Sequence, residues 1–171
     1  MTYSLSYMPI TLRDALPEDE PFLLEVYAST RAQEMAQVPW DDEQRKSFLT
    51  MQFNAQHSHY RAQYPDASYS LICRDDLPLG RLYVLRNEED IRILDLTLLP
   101  EYRNGGIGTS LLRDLLEEAA QSGKRVRIYV ETYNPSLRLF ERLGFKNIAE
   151  EGINFLLEWG SHSNSNKAES A

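Results

Sequence analysis

The sequence contains a single cysteine, Cys73. No disulfide can therefore form within the chain, and a zinc site built from several thiolates is excluded. One cysteine fits a reducing compartment. No apolar run approaches the ~18 residues needed to span a bilayer as a helix. The opening stretch, MTYSLSYMPI, lacks both the basic flank and the apolar centre of a secretory signal. These absences lead to the expectation of a cytoplasmic protein. Positive charge is also scarce. Lys and Arg number 18 against 26 Asp and Glu, for a net charge of -8. A basic face for nucleic acid or for an anionic membrane is not expected, and a cationic partner is favoured. No internal repeat of 20–50 residues is visible, which excludes a solenoid.

What remains is ordinary globular material. The chain has 171 residues, 42% of them hydrophobic, enough for one domain with a core that needs no staples. Residues 160–171, GSHSNSNKAESA, are small, polar and aperiodic, and a disordered tail is expected there. Residues 1–9 form an N-terminal extension, which leaves residues 10–159 as the domain.

Periodicity predicts the elements. Residues 10–13 read as a short strand. Phe22, Leu23, Val26 and Tyr27 predict a helix from Glu18 to about Met35. Asp41 or Asp42 caps a second helix that runs to about Tyr60. Strands are expected near residues 69–73, 79–86 and 91–98, with turns at Asp75–Pro78 and Asn87–Asp90. Ile107, Leu111, Leu112, Leu115, Leu116 and Ala119 form the apolar stripe of a long helix, which Gly123 stops. A strand follows at 126–130. Asn134 as N-cap and Pro135 at the first helical position start a last helix that ends at Gly144. Two strands broken at Gly152 close the domain. Strands alternating with helices in the second half imply some parallel pairing, and the hairpins imply a mixed sheet.

The chemistry concentrates in Leu94–Thr109, LDLTLLPEYRNGGIGT. A strand runs into Arg103-Asn104-Gly105-Gly106-Ile107-Gly108 and then into the amphipathic helix. Glycines let backbone approach a ligand closely, and helix-start N–H groups with the dipole favour an anion. Arg103 adds a fork suited to phosphate. A nucleoside-triphosphate loop would need Lys-Ser or Lys-Thr after its last glycine, and none is present. A dinucleotide loop would need a third glycine where Leu111 stands. The pattern that does match is Arg-x-x-Gly-x-Gly.

This order, with Pro100-Glu101-Tyr102-Arg103 entering the loop, resembles the acetyl-CoA signature of the GCN5-related N-acetyltransferase (GNAT) superfamily. A second block, Asn134-Pro135-Ser136-Leu137-Arg138-Leu139-Phe140-Glu141-Arg142-Leu143-Gly144-Phe145, resembles that family's later helix and its Leu-Gly-Phe ending. The resemblance implies an α+β fold of the α/β kind, with a mixed, twisted and partly splayed sheet and helices on both faces. It implies acetyl-CoA as co-substrate, with no metal, and direct transfer of the acetyl group to a primary amine of a small molecule or peptide. It leaves the oligomeric state open, with a homodimer among the assemblies that family members form.

Carried onto this chain, the resemblance assigns Arg103, Asn104, Gly105, Gly106, Ile107 and Gly108 to the pyrophosphate. Thr109 serves either as a local cap or as a phosphate hydrogen-bond donor. Leu96 and Leu98 offer backbone groups to the pantetheine arm, and the Leu98 N–H stabilises the oxyanion. Asn134 contacts the same arm while also capping. Phe140 lines the cofactor channel but stands where many members carry a tyrosine that protonates the leaving thiolate, so Tyr133 or Tyr129 becomes the candidate acid. Asp95 is the first candidate base and equally a hydrogen-bonded strand residue; Glu131 is the second. Tyr27, Trp40 and Gln52 are the acceptor-side candidates, with Trp40 beside Asp41, Asp42 and Glu43 suiting a cationic amine. Phe140 and the open question of the base keep two alternatives in play: a non-catalytic acyl-CoA sensor and an interaction domain with a structural glycine loop.

Overall fold

The computed structural model describes residues 9–160. Apart from Pro9 and Gly160, the expected N-terminal extension and polar tail lie outside the described residues. In chain order the elements are β1 (Ile10–Asp14), α1 (Glu20–Thr30), α2 (Ala32–Ala36), α3 (Asp42–Gln63), β2 (Ser68–Arg74), β3 (Leu77–Arg86), β4 (Asp90–Leu98), α4 (Ile107–Ser122), β5 (Arg125–Glu131), α5 (Leu137–Arg142), β6 (Lys146–Glu151) and β7 (Asn154–Trp159). The seven strands form one mixed, open sheet in the order β1-β2-β3-β4-β5-β7-β6. Internal packing divides the chain into two units. One holds the residues up to Tyr83 together with Asp95–Gly105; the other holds Val84–Leu94 and the residues from Gly106 onward. No described helix is long and apolar enough to cross a membrane.

In the first unit β1 and β2 pair antiparallel, from Ile10 opposite Arg74 to Asp14 opposite Ser70. Leu23 and Tyr27 of α1, Phe53 of α3, and Leu71 and Cys73 of β2 form one buried cluster. Cys73 is thus a core residue, and burial pushes its thiol up from the ordinary value. Asp41 starts α3 as the sequence predicts: it accepts the Gln44 N–H at 2.8 Å, while Gln44 Oε1 accepts the Asp41 N–H at 3.0 Å. The single helix expected from Glu18 to Met35 is two helices. Ser29 and Thr30 donate their hydroxyls to the carbonyls of Val26 and Tyr27, each at 2.6 Å, and α1 ends there. Such local bonds compete with helix continuation. The expected four-residue turn at Asp75–Pro78 is shorter. Asp75 and Asp76 both take φ of 48°, which aspartate tolerates, and Leu77 already belongs to β3.

In the second unit α4 buries its predicted stripe, and Gly123 ends it at a φ of 69°. β5 and β7 pair antiparallel, and β7 forms a hairpin with β6 around Gly152. Buried Glu158 accepts Arg127 Nε at 2.7 Å. α5 starts at Leu137 rather than at Pro135, with Ser136 as its cap. The reason is local. The Asn134 carboxamide oxygen accepts the Ser136 N–H at 2.8 Å, which makes a turn before the helix rather than a helix start. At the other end Phe145 N–H donates to Phe140 O and Gly144 N–H to Glu141 O, both at 3.0 Å. Gly144 has a φ of 98°, and the Phe140 and Phe145 rings meet edge-on at 5.3 Å. This is a Schellman stop with its apolar contact, so the Leu-Gly-Phe ending has a folding role of its own.

Candidate active site

The glycine loop follows a short 3-10 turn, Pro100–Tyr102. Asn104 and Gly106 take positive φ, 63° and 85°. Gly106 needs its missing side chain for that conformation. Gly108 does not: its φ is ordinary, and nothing lies within 4 Å of where a Cβ would stand. A glycine inside a helix costs about 1 kcal/mol against alanine. The fold has no use for it, and the space beside it is open. The helix start is also bare. α4 has neither a capping side chain nor an acidic residue in its first turn. Its first internal bond runs from Ser110 N–H to Gly106 O at 3.0 Å, so the N–H groups of Ile107, Gly108 and Thr109 have no acceptor inside the helix. α3, by contrast, is capped by Asp41 and acidic in its first turn. An uncapped helix start behind an unneeded glycine leaves donors and space of the kind an anion takes.

The strand that feeds this loop changes character midway. β4 and β5 pair in parallel from Asp90 opposite Arg125 to Ile93 opposite Ile128. Both strands continue beyond that register. Up to Ile93 β4 alternates half-buried and buried residues; from Leu94 to Leu98 every residue is half-buried, Leu96 and Leu98 included. Gly80 on β3 explains the geometry at the end. A Cβ there would stand 2.2 Å from the Thr97 carbonyl oxygen and 2.9 Å from Leu98 Cα. The Thr97 carbonyl therefore points at Gly80. In a trans peptide the C=O and N–H point in opposite directions, so the Leu98 N–H points away from β3.

Asp95 lies in the same stretch, but its carboxylate is fully engaged. Arg81 Nε donates to Oδ1 at 3.2 Å and Nη2 to Oδ2 at 2.9 Å. The Thr97 hydroxyl donates to Oδ1 at 2.6 Å. Arg81 is 2% exposed and also reaches Gln56 Oε1 at 3.1 Å. Burial acts to lower the Arg81 guanidinium, but the Asp95 charge, followed by Tyr83 and the Asp95 hydrogen bond, outweighs it and holds the group above its ordinary value. Burial, and then the same charge, pushes the Tyr60 hydroxyl up to about 12. Of the two readings the sequence leaves open for Asp95, this geometry matches the hydrogen-bonded strand residue. Gly80 and Arg81, which shape this stretch, are residues that the sequence analysis does not single out. Their signal was present: a glycine inside a strand marks close backbone approach, and an arginine between apolar strand neighbours marks a buried partner.

A sequence profile of the acetyltransferase (GNAT) family matches residues 30–145. The chain belongs to that family. As a member it is an N-acetyltransferase. Solved structures agree in fold. PaiA N-acetyltransferase from Thermoplasma acidophilum, in complex with coenzyme A, superposes with a TM-score of 0.66 at 23% identity, covering 90% of this chain and 100% of that one. Naa50 from Arabidopsis thaliana, in complex with the bisubstrate analogue CoA-Ac-MVNAL, gives a TM-score of 0.59 at 16% identity, covering 87% and 97%. Ard1 from Thermoplasma volcanium gives 0.57 at 18% identity, covering 87% and 95%.

The acetyltransferase's second block is more structural than the resemblance implies. Phe140 is 5% exposed and belongs to the Schellman stop. The Asn134 carboxamide is occupied within its turn, accepting from Ser136 and donating to Glu131 Oε2 at 3.3 Å. Glu131, the second candidate base, is thus part of that turn. Tyr133 is 74% exposed. Tyr129 is exposed and lies beneath Arg92, 5.8 Å from ring centroid to guanidinium.

The acceptor-side candidates separate in the same way. Tyr27 is buried against Phe53, and its hydroxyl accepts from Arg31 Nη1 at 2.7 Å; it is core. Gln52 is half-buried on α3. His57, farther along α3, is held below the ordinary imidazole value by burial and then by Arg61. Trp40 packs edge-on against Phe48 at 5.2 Å. With Asp41, Glu43, Gln44 and Ser47 it lines an open depression of about 530 Å³.

Proposed function

We propose that this N-acetyltransferase moves an acetyl group from acetyl-CoA directly to a primary amine, with residues 10–159 as the catalytic domain. The observation that carries the reading is the loop at Arg103–Thr109, whose last glycine the fold does not need. The N–H groups of Ile107, Gly108 and Thr109 hold the pyrophosphate together with the Asn104 and Gly105 backbone. Bound there, acetyl-CoA would supply a thioester whose carbonyl carbon takes the nitrogen of a neutral amine as the C–S bond breaks, the amine's surplus proton passing to water. The Leu98 N–H, turned away from β3, donates to the carbonyl oxygen as charge develops on it. The backbone of Leu96 guides the pantetheine arm. A thiolate of pKa near ~8.5 leaves without a dedicated acid, which fits a buried phenylalanine at position 140.

The test is a thermal-shift titration with acetyl-CoA on the wild type and on Gly108→Leu. At about 100 times the dissociation constant the wild type is stabilised by about 2.7 kcal/mol, on the order of 5–10 °C for a chain of this size. Gly108→Leu keeps or raises the melting temperature of the free protein, because leucine is the better helix former. It loses the shift because the side chain fills the seat. An unchanged shift in the variant would show that the seat lies elsewhere.

We further infer that the acceptor enters beside Trp40 and is cationic. The support is an aromatic face with Asp41 and Glu43 around an open depression, in a chain of net charge -8. Trp40→Ala is expected to raise KM for the amine about tenfold, the loss of one cation–π contact plus apolar area, with KM for acetyl-CoA unchanged. Equal KM values for the amine would remove Trp40 from the acceptor site.

A further inference from the structure

We propose that Arg103 is a positioning residue for the Leu98 backbone, and that its guanidinium couples the seating of the donor's pyrophosphate to the amide that receives the developing oxyanion. The inference rests on the acetyl-CoA reading above. It starts from the peptide that joins Leu98 to Leu99. The N–H of that peptide, on Leu99, donates to Leu79 O at 2.9 Å. Its carbonyl, on Leu98, accepts from Arg103 Nε at 2.9 Å. Both polar groups of this peptide plane are therefore held, one by β3 and one by the loop. The preceding plane is limited on one side by Gly80, where a Cβ would stand 2.2 Å from the Thr97 carbonyl oxygen. The direction of the Leu98 N–H is set between these two planes. Arg103 is the one anchor of the three that comes from the phosphate loop.

The rest of the arginine is suited to this coupling. Nη2 lies 3.5 Å from Ser29 Oγ at the end of α1, and the side chain is exposed, so a phosphate can reach its remaining donors. A guanidinium can hold a carbonyl with Nε while offering its outer nitrogens to an anion. Lysine has one nitrogen at the end of a flexible stem and cannot hold both at fixed geometry. On this account the charge of Arg103 serves donor affinity, and its Nε serves the rate of acetyl transfer.

A donor without phosphates separates the two roles. Acetyl transfer is measured from acetyl-CoA and from S-acetylpantetheine, which keeps the thioester and the pantetheine arm. The proteins are wild type, Arg103→Lys and Arg103→Met. We expect both variants to lose about tenfold or more in kcat with S-acetylpantetheine, the effect of one charge-assisted hydrogen bond on the barrier. The lysine variant should not rescue it, although it recovers part of the KM for acetyl-CoA. Variants that equal the wild type with S-acetylpantetheine and fail only with acetyl-CoA would overturn the proposal and leave Arg103 a phosphate ligand alone. A wild type that transfers from neither donor would instead refute the acetyl-transfer reading. The positioning role is read independently by amide hydrogen exchange of the free protein. Arg103→Met should accelerate exchange at Leu99, with Leu111–Ala119 unchanged as the control for folding. Unchanged exchange at Leu99 would overturn the proposal whatever the activity.

Discussion

Replacing Gly80 by alanine is expected to lower the melting temperature by roughly 6–12 °C. The new Cβ would stand 2.2 Å from the Thr97 carbonyl oxygen and 2.9 Å from Leu98 Cα. Both are backbone atoms and cannot rotate aside as a side-chain tip would. β3 and β4 must separate or the Thr97–Leu98 peptide must turn. Forced overpacking of this kind costs about 3 kcal/mol, and each kcal/mol is worth about 2–4 °C in a domain of this size. Gly123→Ala is the comparison, a glycine with backbone strain but no close neighbour. Its φ of 69° strains alanine, as the ordinary strand backbone at Gly80 does not, yet nothing lies within 4 Å of its Cβ position, so it should cost only about 1–2 kcal/mol of left-handed strain. A Gly80→Ala protein that melts no lower than Gly123→Ala would show that the close approach does not exist. The functional consequence follows from the same contact: a turned Leu98 amide loses its aim, and kcat should fall more than the KM for acetyl-CoA rises.

The second large effect is expected at Arg81. Arg81→Met leaves Asp95 as a charge with only the Thr97 hydroxyl and without its 2.9 Å guanidinium partner. Removing one member of a buried pair costs about 3–5 kcal/mol, because the survivor keeps its desolvation penalty without its partner. The double variant Arg81→Met, Asp95→Leu removes both charges and should recover most of that loss, since an apolar pair of similar volume is close to neutral. Melting temperatures of the two single variants and the double variant complete the cycle. Additive losses would mean that the two residues act apart. Asp95→Asn addresses catalysis as well. If Asp95 were the base, its loss would remove the acidic limb of the pH–rate profile. We expect a lower melting temperature and an acidic limb that persists.

The reading of this protein from its residues held best where a single element explains its own pattern. The apolar stripe from Ile107 to Ala119 fits only a helix, and Gly123 can stop it because glycine tolerates left-handed backbone. Asp41 could be read as a cap because its partner, Gln44, lies three residues away. The loop Arg103–Gly108 was legible for a similar reason: a strand, a run of glycines and an uncapped helix start are contiguous in the chain. Errors appeared where local chemistry competes. Ser29 and Thr30 look acceptable inside a helix, yet their hydroxyls take the carbonyls that would continue it. Asn134 reads as a cap because an asparagine before proline often is one, yet its carboxamide closes a turn two residues long.

Roles that depend on a distant partner could not be read in advance. Asp95 has the chemistry of a base in sequence; only the arrival of Arg81 from β3 makes it half of an ion pair. Phe140, whatever it lines, also packs against Phe145 across a stop that its own helix builds, a contact the residue type alone does not show. The strand glycine in LGRLYV signals a close approach but does not say that Thr97 and Leu98 of β4 make it. The mixed fold and the family could thus be read from the residues, because each is carried by neighbours along the chain. The tertiary structure decided which polar groups are left over for chemistry. Whether a carboxylate, an arginine or an amide can act depends on what has already bonded to it, and those partners come from elsewhere in the fold.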